Sequence, residues 1–436
     1  MSRRSIVANL DAVTIFLYLA LVTLGILSIY SAVYDVKAPQ PIYNLSIYSG
    51  KQILRLAFAV ILVIGIMLID YKLFEAFAYV FYALIVLLLV LVLIVGVKIG
   101  GARSWFDLGF MRLQPAEFAK LACSLAIAKY LSQSGVSLKI QRKNVGAFFK
   151  TALIALTILA VPALLILLQP DAGSMLIFVS FLLVFYREGL HSIFLFLPLD
   201  AGIFFVLALV VPIAYLSFAV LVLAALFFGI YYFLRGKITR RLVMSIILIA
   251  LVHIAYAFSV NFIFENVLKP HQKERIMILL DEEVDKRARG SRYNLQQSKI
   301  AIGSGGLTGK GFLQGTQTKY DFVPEQRTDF IFCTIGEEGG WIGSSLLILL
   351  YIGLMSRVII IAERQPDGFA RIYGYGVASI LFFHFTLNIS MTMGLFPVVG
   401  IPLPFISYGG SSLWSFTILI FILLKLDAHR NRLFAG

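Results

Sequence analysis

Apolar residues run in blocks along almost the whole chain, divided by polar joints. The blocks fall near 12–33, 52–70, 73–96, 115–132, 149–168, 172–187, 190–211, 213–234, 242–263, 333–357, 370–393 and 405–426. Most are long enough to cross about 30 Å of hydrocarbon as a helix. No period-two alternation appears within them, and a backbone in lipid must satisfy its own polar groups. The pattern therefore predicts an all-α polytopic membrane bundle of about twelve helices, not a barrel. Between Leu190 and Leu234 the apolar run is broken by Pro198, Asp200 and Pro212. It is read as two spans, because Arg235, Lys237, Arg240 and Arg241 then fall on the cytoplasmic side.

Most joints are short. One exception, about 97–114, contains GARSWFDLGFMRLQP; the other, about 264–329, is the longest polar segment. Alternation puts both on the outer side. The second is glycine-punctuated and mixed in charge, so a folded loop is expected.

Composition agrees with this picture: 60% of residues are hydrophobic and 14% charged, with mean hydropathy +0.91, which excludes an ordinary soluble domain. The net charge of +14 would suggest nucleic acid in a soluble protein. Here the cations crowd particular joints: Arg3 and Arg4; Lys139, Arg142, Lys143 and Lys150; Arg235 to Arg241; Arg430 and Arg432. That is the positive-inside bias. It predicts both termini in the cytoplasm, contact with anionic membrane lipid, and no nucleic-acid partner. The first span lacks a small-residue cleavage pattern and is expected to be retained. Cys123 and Cys333 fall in spans, so neither a disulfide nor a zinc site is indicated.

Polar residues within and beside the spans carry the candidate chemistry. GSGGLTGKG (Gly303–Gly311) has Ser304 where a P-loop needs its first glycine, and Gly311 where it needs Ser or Thr, so nucleotide binding is not expected. Two readings stand: a plain turn, or a turn whose amides and Lys310 meet some other phosphate. QPAEFAKLA (Gln114–Ala122) puts Glu117 and Lys120 on one helix face at membrane depth, where a charge costs roughly 2.5–3.5 kcal/mol. An ion pair fastening helices and a functional pair are equal readings. In QPDAGS (Gln169–Ser174), Asp171 is a helix cap or a functional carboxylate. Trp105, near Arg103, is an interfacial anchor or a face for a sugar ring. GIPLPFISYGGSS (Gly400–Ser412) breaks the backbone before the last span, which is tolerated where it lines a cavity. His384 and Asn388, one turn apart, are expected to hydrogen-bond between helices. In PEQRTDFIF (Pro324–Phe332), Asp329 stands at the mouth of a span beside Arg327 and Glu325. Physics alone thus predicts an outward polar pocket lined by Asp329, Arg327, Trp105, Arg103 and Lys310, suited to an anionic, amphipathic ligand.

The segments RLQPAEFAKLA, LLQPDAGSML, QQSKIAIGSGGLTGKGFLQGTQ, FVPEQRTDFIF followed by EEGGWIG, and GIPLPFISYGGSS occur in this order. In that series the chain resembles the SEDS family (shape, elongation, division and sporulation). The run RIMILLDEEVD…QQSKIAIGSGG is closer to its rod-elongation branch than to its division branch. The likeness extends from the first span nearly to the C-terminus. It departs from the usual ten-helix core in 190–263, a variable region read as holding two extra helices, and in Ala116 and Ala172, where Ser and Leu are common.

The resemblance implies a single membrane domain over 1–436, with 264–329 as its large extracytoplasmic loop before the last three spans. It implies a peptidoglycan glycosyltransferase in the bacterial cytoplasmic (inner) membrane. Such an enzyme polymerises lipid II into lipid-linked glycan strands during elongation and releases undecaprenyl diphosphate. The partner it implies is a class B penicillin-binding protein. It marks Asp329 as the essential carboxylate and Trp105 as important. Arg103, Glu117, Lys120, Asp171, Lys310, Glu325, Arg327, Thr328 and Ser407 are carried with them as substrate-binding candidates. The donor sugar is α-linked and the product β-linked, so one inverting displacement suffices. It needs a single base for the acceptor 4-hydroxyl, here Asp329. The leaving diphosphate needs cations rather than an acid: Lys310, Arg327, Arg103 and Lys120 are the candidates. No certain cofactor follows; a divalent cation is compatible, though no ligand cluster demands one. Two other functions fit a bundle with polar spans, a lipid II flippase and a non-catalytic scaffold of the elongation machinery.

Overall fold

A computed structural model of the protein describes residues 9–430, apart from 36, 100, 110, 134–135, 140–144, 237, 268–272, 274–290 and 321. Arg3, Arg4, Arg142, Lys143, Lys237 and Arg432 of the basic joints, and 268–272 and 274–290 of the long loop, lie outside the described residues.

In chain order the elements are α1 (Ala12–Ala32), α2 (Tyr48–Leu68), α3 (Tyr71–Ala76), α4 (Ala78–Val95), β1 (Val97–Ile99), β2 (Ala102–Asp107), β3 (Arg112–Leu113), α5 (Pro115–Leu131) and α6 (Val145–Leu168). There follow α7 (Ala172–Leu176), a 3₁₀ turn, α8 (Phe181–Arg187), α9 (Ile193–Val210), α10 (Ile213–Arg235) and α11 (Arg240–Asn266). The chain closes with α12 (Ser291–Ser304), α13 (Thr316–Lys319), α14 (Ile331–Glu363), α15 (Gly368–Thr392) and α16 (Gly410–Ala428).

Among the described residues, ten helices are long and apolar enough to span a bilayer: α1, α2, α4, α6, α9, α10, α11, α14, α15 and α16. The protein is a multi-pass membrane bundle. Two of the twelve expected spans are shorter: α5, with 17 residues, and the α7–α8 stretch, which a 3₁₀ turn divides. The last span starts at Gly410 rather than near 405, because the backbone ahead of it is irregular.

The chain divides into two compact units, Met1–Leu190 with Arg287–Gly436, and His191–Lys286. In the first, α16 is buried along almost its whole length, so this apolar and hydroxyl-rich helix is a core element. The 97–114 joint, read from sequence without secondary structure, forms a small antiparallel sheet in the order β1-β2-β3, with Val97 opposite Trp105 and Phe106 opposite Leu113. Among its described residues, the second unit holds three helices, α9 to α11. Its run from Leu190 to Leu234 is cut in two at Val211–Pro212, where proline lacks the amide to continue a helix. Ala208, Leu216, Ala257 and Val260 form its small core. Asp200 on α9 meets His253 on α11 at 3.1 Å, so two polar groups in apolar helices satisfy each other.

Candidate functional site

Asp329 lies on a tight turn, in which the amides of Thr328 and Phe330 both donate to Glu325 O, at 3.1 Å each. The Thr328 hydroxyl donates to the exposed Glu325 carboxylate at 2.8 Å. Three successive carbonyls of this turn are bonded outward. Arg327 O accepts from the Tyr408 amide (2.9 Å), Thr328 O from the Ser407 hydroxyl (2.7 Å), and Asp329 O from Asn388 Nδ2 (2.8 Å). Asn388 gives a second bond to Ile401 O at 2.7 Å, and Ser407 Oγ accepts from the Leu403 amide at 2.8 Å. The irregular GIPLPFISYGG segment is therefore a clamp. Its broken backbone frees groups that would otherwise be spent within a helix, and they fix the backbone that carries Asp329.

Asp329 as a residue is partly exposed. A methyl group on Gly400 would lie 3.2 Å from Asp329 Oδ2, and Gly400 has φ +70. Both the left-handed backbone and the space beside the acid require glycine there. The cap of α14 is Phe330, which makes no side-chain capping bond, so Asp329 stands one residue ahead of the cap.

Behind the turn, α14 is kinked at Gly340 (φ 59, ψ −154). Here the glycine-rich loop finds its use. The Lys310 and Gly311 amides donate to the carbonyls of Glu337 and Glu338, each at 3.0 Å. In return the Trp341 and Ile342 amides donate to the carbonyls of Gly306 (2.9 Å) and Leu307 (3.1 Å). A Cβ on Gly309 would stand 2.0 Å from Glu338 O, so only glycine permits this splice of loop and helix. The amides of Lys310 and Gly311 are thus spent on α14, and they tie the loop to that helix. The Lys310 ammonium is likewise committed: it meets the buried Glu337 carboxylate at 2.7 Å and Thr316 Oγ1 at 2.7 Å. Glu337 also accepts from the amides of Thr316, Gln317 and Thr318 at 2.7–3.0 Å.

The charged pair on α5 is sealed. Lys120 Nζ lies 2.8 Å from Glu117 Oε2 and 2.8 Å from His384 Nε2, and Lys120 is 0% exposed. His384 Nδ1 lies 3.1 Å from Pro402 O, so Nδ1 donates and Nε2 accepts from the lysine. The Ser415 hydroxyl donates to Glu117 O at 2.7 Å. Of the two readings of this pair, the contacts are those of an ion pair, and through His384 it also fastens α5 to α15. Asp171 caps α7 through the Ser174 amide at 3.0 Å and accepts from Gln114 Nε2 at 2.9 Å. The Gln114 amide in turn donates to Ser411 Oγ at 3.0 Å. The two Gln-Pro motifs are thus joined to each other and to the start of α16.

Arg103 and Trp105 share one face of β2, two residues apart, both half-buried. The contact described for the Arg103 guanidinium runs to Leu93 O at 3.4 Å, toward α4. These two residues belong to the sheet rather than to the stitched turn.

Sequence reasoning missed a second group beside that turn. The Arg327 guanidinium lies 4.1 Å from the Tyr48 ring centre, and the Arg55 guanidinium 4.1 Å from that of Tyr408. The two tyrosines meet edge to face at 5.0 Å. Arg55, a cation within the apolar block 52–70, was the available signal.

A family model described as "Cell cycle protein", covering FtsW, RodA and SpoVE, matches residues 11–223 and 192–432. The peptidoglycan glycosyltransferase MrdB of Escherichia coli (strain K12) is 33% identical over 98% of this chain and 95% of its own length. The peptidoglycan glycosyltransferase RodA of Treponema pallidum (strain Nichols) is 31% identical over 97% and 99%. A chain from a solved structure concerned with polymerization and crosslinking by a peptidoglycan synthase complex superposes with TM-score 0.68, at 27% identity over 97% of this chain and 98% of that one. The rod shape determining protein RodA of Thermus thermophilus gives 0.59, at 26% identity over 97% of each chain.

Proposed function

The chain belongs to the FtsW/RodA/SpoVE family, and from that premise we propose that it is a peptidoglycan glycosyltransferase that polymerises lipid II during cell elongation. Asp329 is the general base. Its carboxylate takes the proton of the acceptor 4-hydroxyl as that oxygen attacks the anomeric carbon of the donor. The carbon–oxygen bond to diphosphate breaks with inversion, and the electron pair leaves with undecaprenyl diphosphate. The observation that carries this reading is the clamp on three successive carbonyls, 327 to 329, around a partly exposed acid. A base held this firmly reaches a reacting hydroxyl without reorganising.

For the leaving diphosphate, Arg327 is the best-suited of the cations named from sequence. Among the described residues it forms no ion pair, whereas Lys310 and Lys120 each have a carboxylate. Arg103 supplies a further cation and Trp105 a sugar-stacking face from β2. The polymerising face is the outer side of the cytoplasmic membrane, both termini are cytoplasmic, and a class B penicillin-binding protein is the crosslinking partner. The synthase-complex likeness supports the last point.

The test is product. Purified protein supplied with lipid II is expected to make glycan polymer, and Asp329→Asn to abolish polymer while still binding lipid II. Polymer from the variant at the parent rate removes Asp329 as base. Translocation in vesicles without polymer favours the flippase. Intact cell shape with Asp329→Asn favours the scaffold.

A further inference from the structure

We infer that Arg55, together with Arg327, forms a clamp for the diphosphate of the lipid-linked donor, with Tyr48 and Tyr408 holding the two guanidinium groups ready. The inference rests on the glycosyltransferase reading and names the leaving-group site within it.

The argument begins with charge. Arg55 and Arg327 are half-buried, and among the described residues neither forms an ion pair with a carboxylate. A partly desolvated guanidinium without a counter-charge is costly unless a ligand supplies one. The tyrosine faces offset part of that cost by cation–π attraction, but they supply no counter-charge. The N–H groups lie in the plane, at the edge, where they suit two phosphate oxygens at once. Arg55 gives one of its donors to Gln52 Oε1 at 3.3 Å, and no side-chain hydrogen bond is described for Arg327. Two guanidinium forks on one aromatic pair suit a ligand with two phosphate groups.

Placement follows from the backbone. Tyr408 is the residue whose amide holds Arg327 O, so the aromatic pair is tied to the turn that carries Asp329 two residues on. On the other side, Arg55 O accepts from Trp414 Nε1 at 2.9 Å. Gln52 Oε1 accepts from the Gly409 amide at 3.3 Å. A Cβ on Gly410 would lie 3.3 Å from Arg55 Cδ, so the start of α16 leaves room for this side chain. The clamp therefore joins α2 to the base-bearing turn through the SYGG segment.

The experiment uses the full-length protein in lipid nanodiscs, with two readouts: binding of undecaprenyl diphosphate, and steady-state polymerisation of lipid II. Arg55→Gln is expected to weaken undecaprenyl diphosphate binding and raise KM, each by about tenfold, and to lower kcat as well, because charge grows on the diphosphate as its bond to the sugar breaks. Arg55→Lys should recover part of both, since the charge remains while the fork is lost. Thermal unfolding of each variant shows that the bundle is intact. Gly410→Ala, which crowds Arg55 without removing its charge, should shift KM in the same direction. Unchanged binding and KM in Arg55→Gln overturn the clamp. So does an equal loss of binding to phosphatidylglycerol vesicles, which would make the site a general headgroup contact. The binding readout requires no chemistry. If even the parent makes no polymer, the glycosyltransferase reading falls while the loss of binding in Arg55→Gln still reports the clamp.

Discussion

The two ends of the first unit treat charge in opposite ways. At the end where α1 begins and α14 and α16 finish, Asp11 and Asp427 sit among Arg357, Arg364 and Arg430. Arg357 meets Asp11 at 2.5 Å, Arg430 meets Asp427 at 2.8 Å, and Arg364 contacts both acids. At the opposite end, where α2, α14 and α16 begin, Arg55 and Arg327 rest on tyrosines and Asp329 is held by its backbone. The first arrangement is complete in itself and fastens helices. Among the described residues, the second pairs Lys310 with Glu337 but leaves the Arg55 and Arg327 guanidinium groups without a carboxylate. That difference, more than any one motif, separates the end that holds the bundle together from the end proposed to react.

The comparison can be broken or sharpened by variants at each end. Asp329→Asn should have the largest effect, lowering the polymerisation rate by about 10²–10⁴ with lipid II binding retained. Gly400→Ala should come next. Its methyl group would press on Asp329 Oδ2 at 3.2 Å from a strained backbone, lowering kcat by about 10–10² while KM moves little. If kcat holds, the position of the carboxylate is not critical. At the paired end, Asp11→Asn is expected to cost roughly 1.5–3 kcal/mol of stability, read as a lower melting temperature, and to leave polymerisation at permissive temperature unchanged.

The smallest expected effect is in acid. Burial opposes ionisation of Asp11, but hydrogen bonds from the Arg357 guanidinium and from Thr14 outweigh it and hold the carboxyl well below the usual range. Since the folded-state pKa is depressed, this stabilisation is present above the unfolded value of about 3.9 and is lost as pH falls further. Melting temperature should fall below about pH 4 in the parent and fall less in Asp11→Asn.

Much of the architecture was legible in the chain. Hydrophobic blocks long enough for lipid located the helices, and Pro212 marked the division between α9 and α10. The sheet at 97–114 was missed because its strands are short: ARSWFD is six residues long and its partners three and two, too little for an alternation to register. At the site, PEQRTDFIF and GIPLPFISYGGSS were visible as unusual polar segments, but nothing in either shows that one staples the other. Lys310 looked like a free cation for the same reason: Glu337 was in view, yet pairing across 27 positions is a matter of distance rather than composition, whereas the three-residue spacing of Glu117 and Lys120 already offered an ion pair as one reading.

What the sequence determined by itself is the solvent: sixty per cent apolar residues, in long runs without the alternation of a barrel strand, call for helices in a membrane, where the backbone must satisfy its own hydrogen bonds. It also determined which residue types were present for chemistry. The tertiary structure decided which charges cancel and which remain, because segments remote in sequence, such as Arg55 with Tyr408 and Asn388 with Asp329, become neighbours only when the helices pack. Local pattern follows from short-range sterics and hydrophobicity. The balance of charge at a site depends on long-range contacts that no single stretch of chain contains.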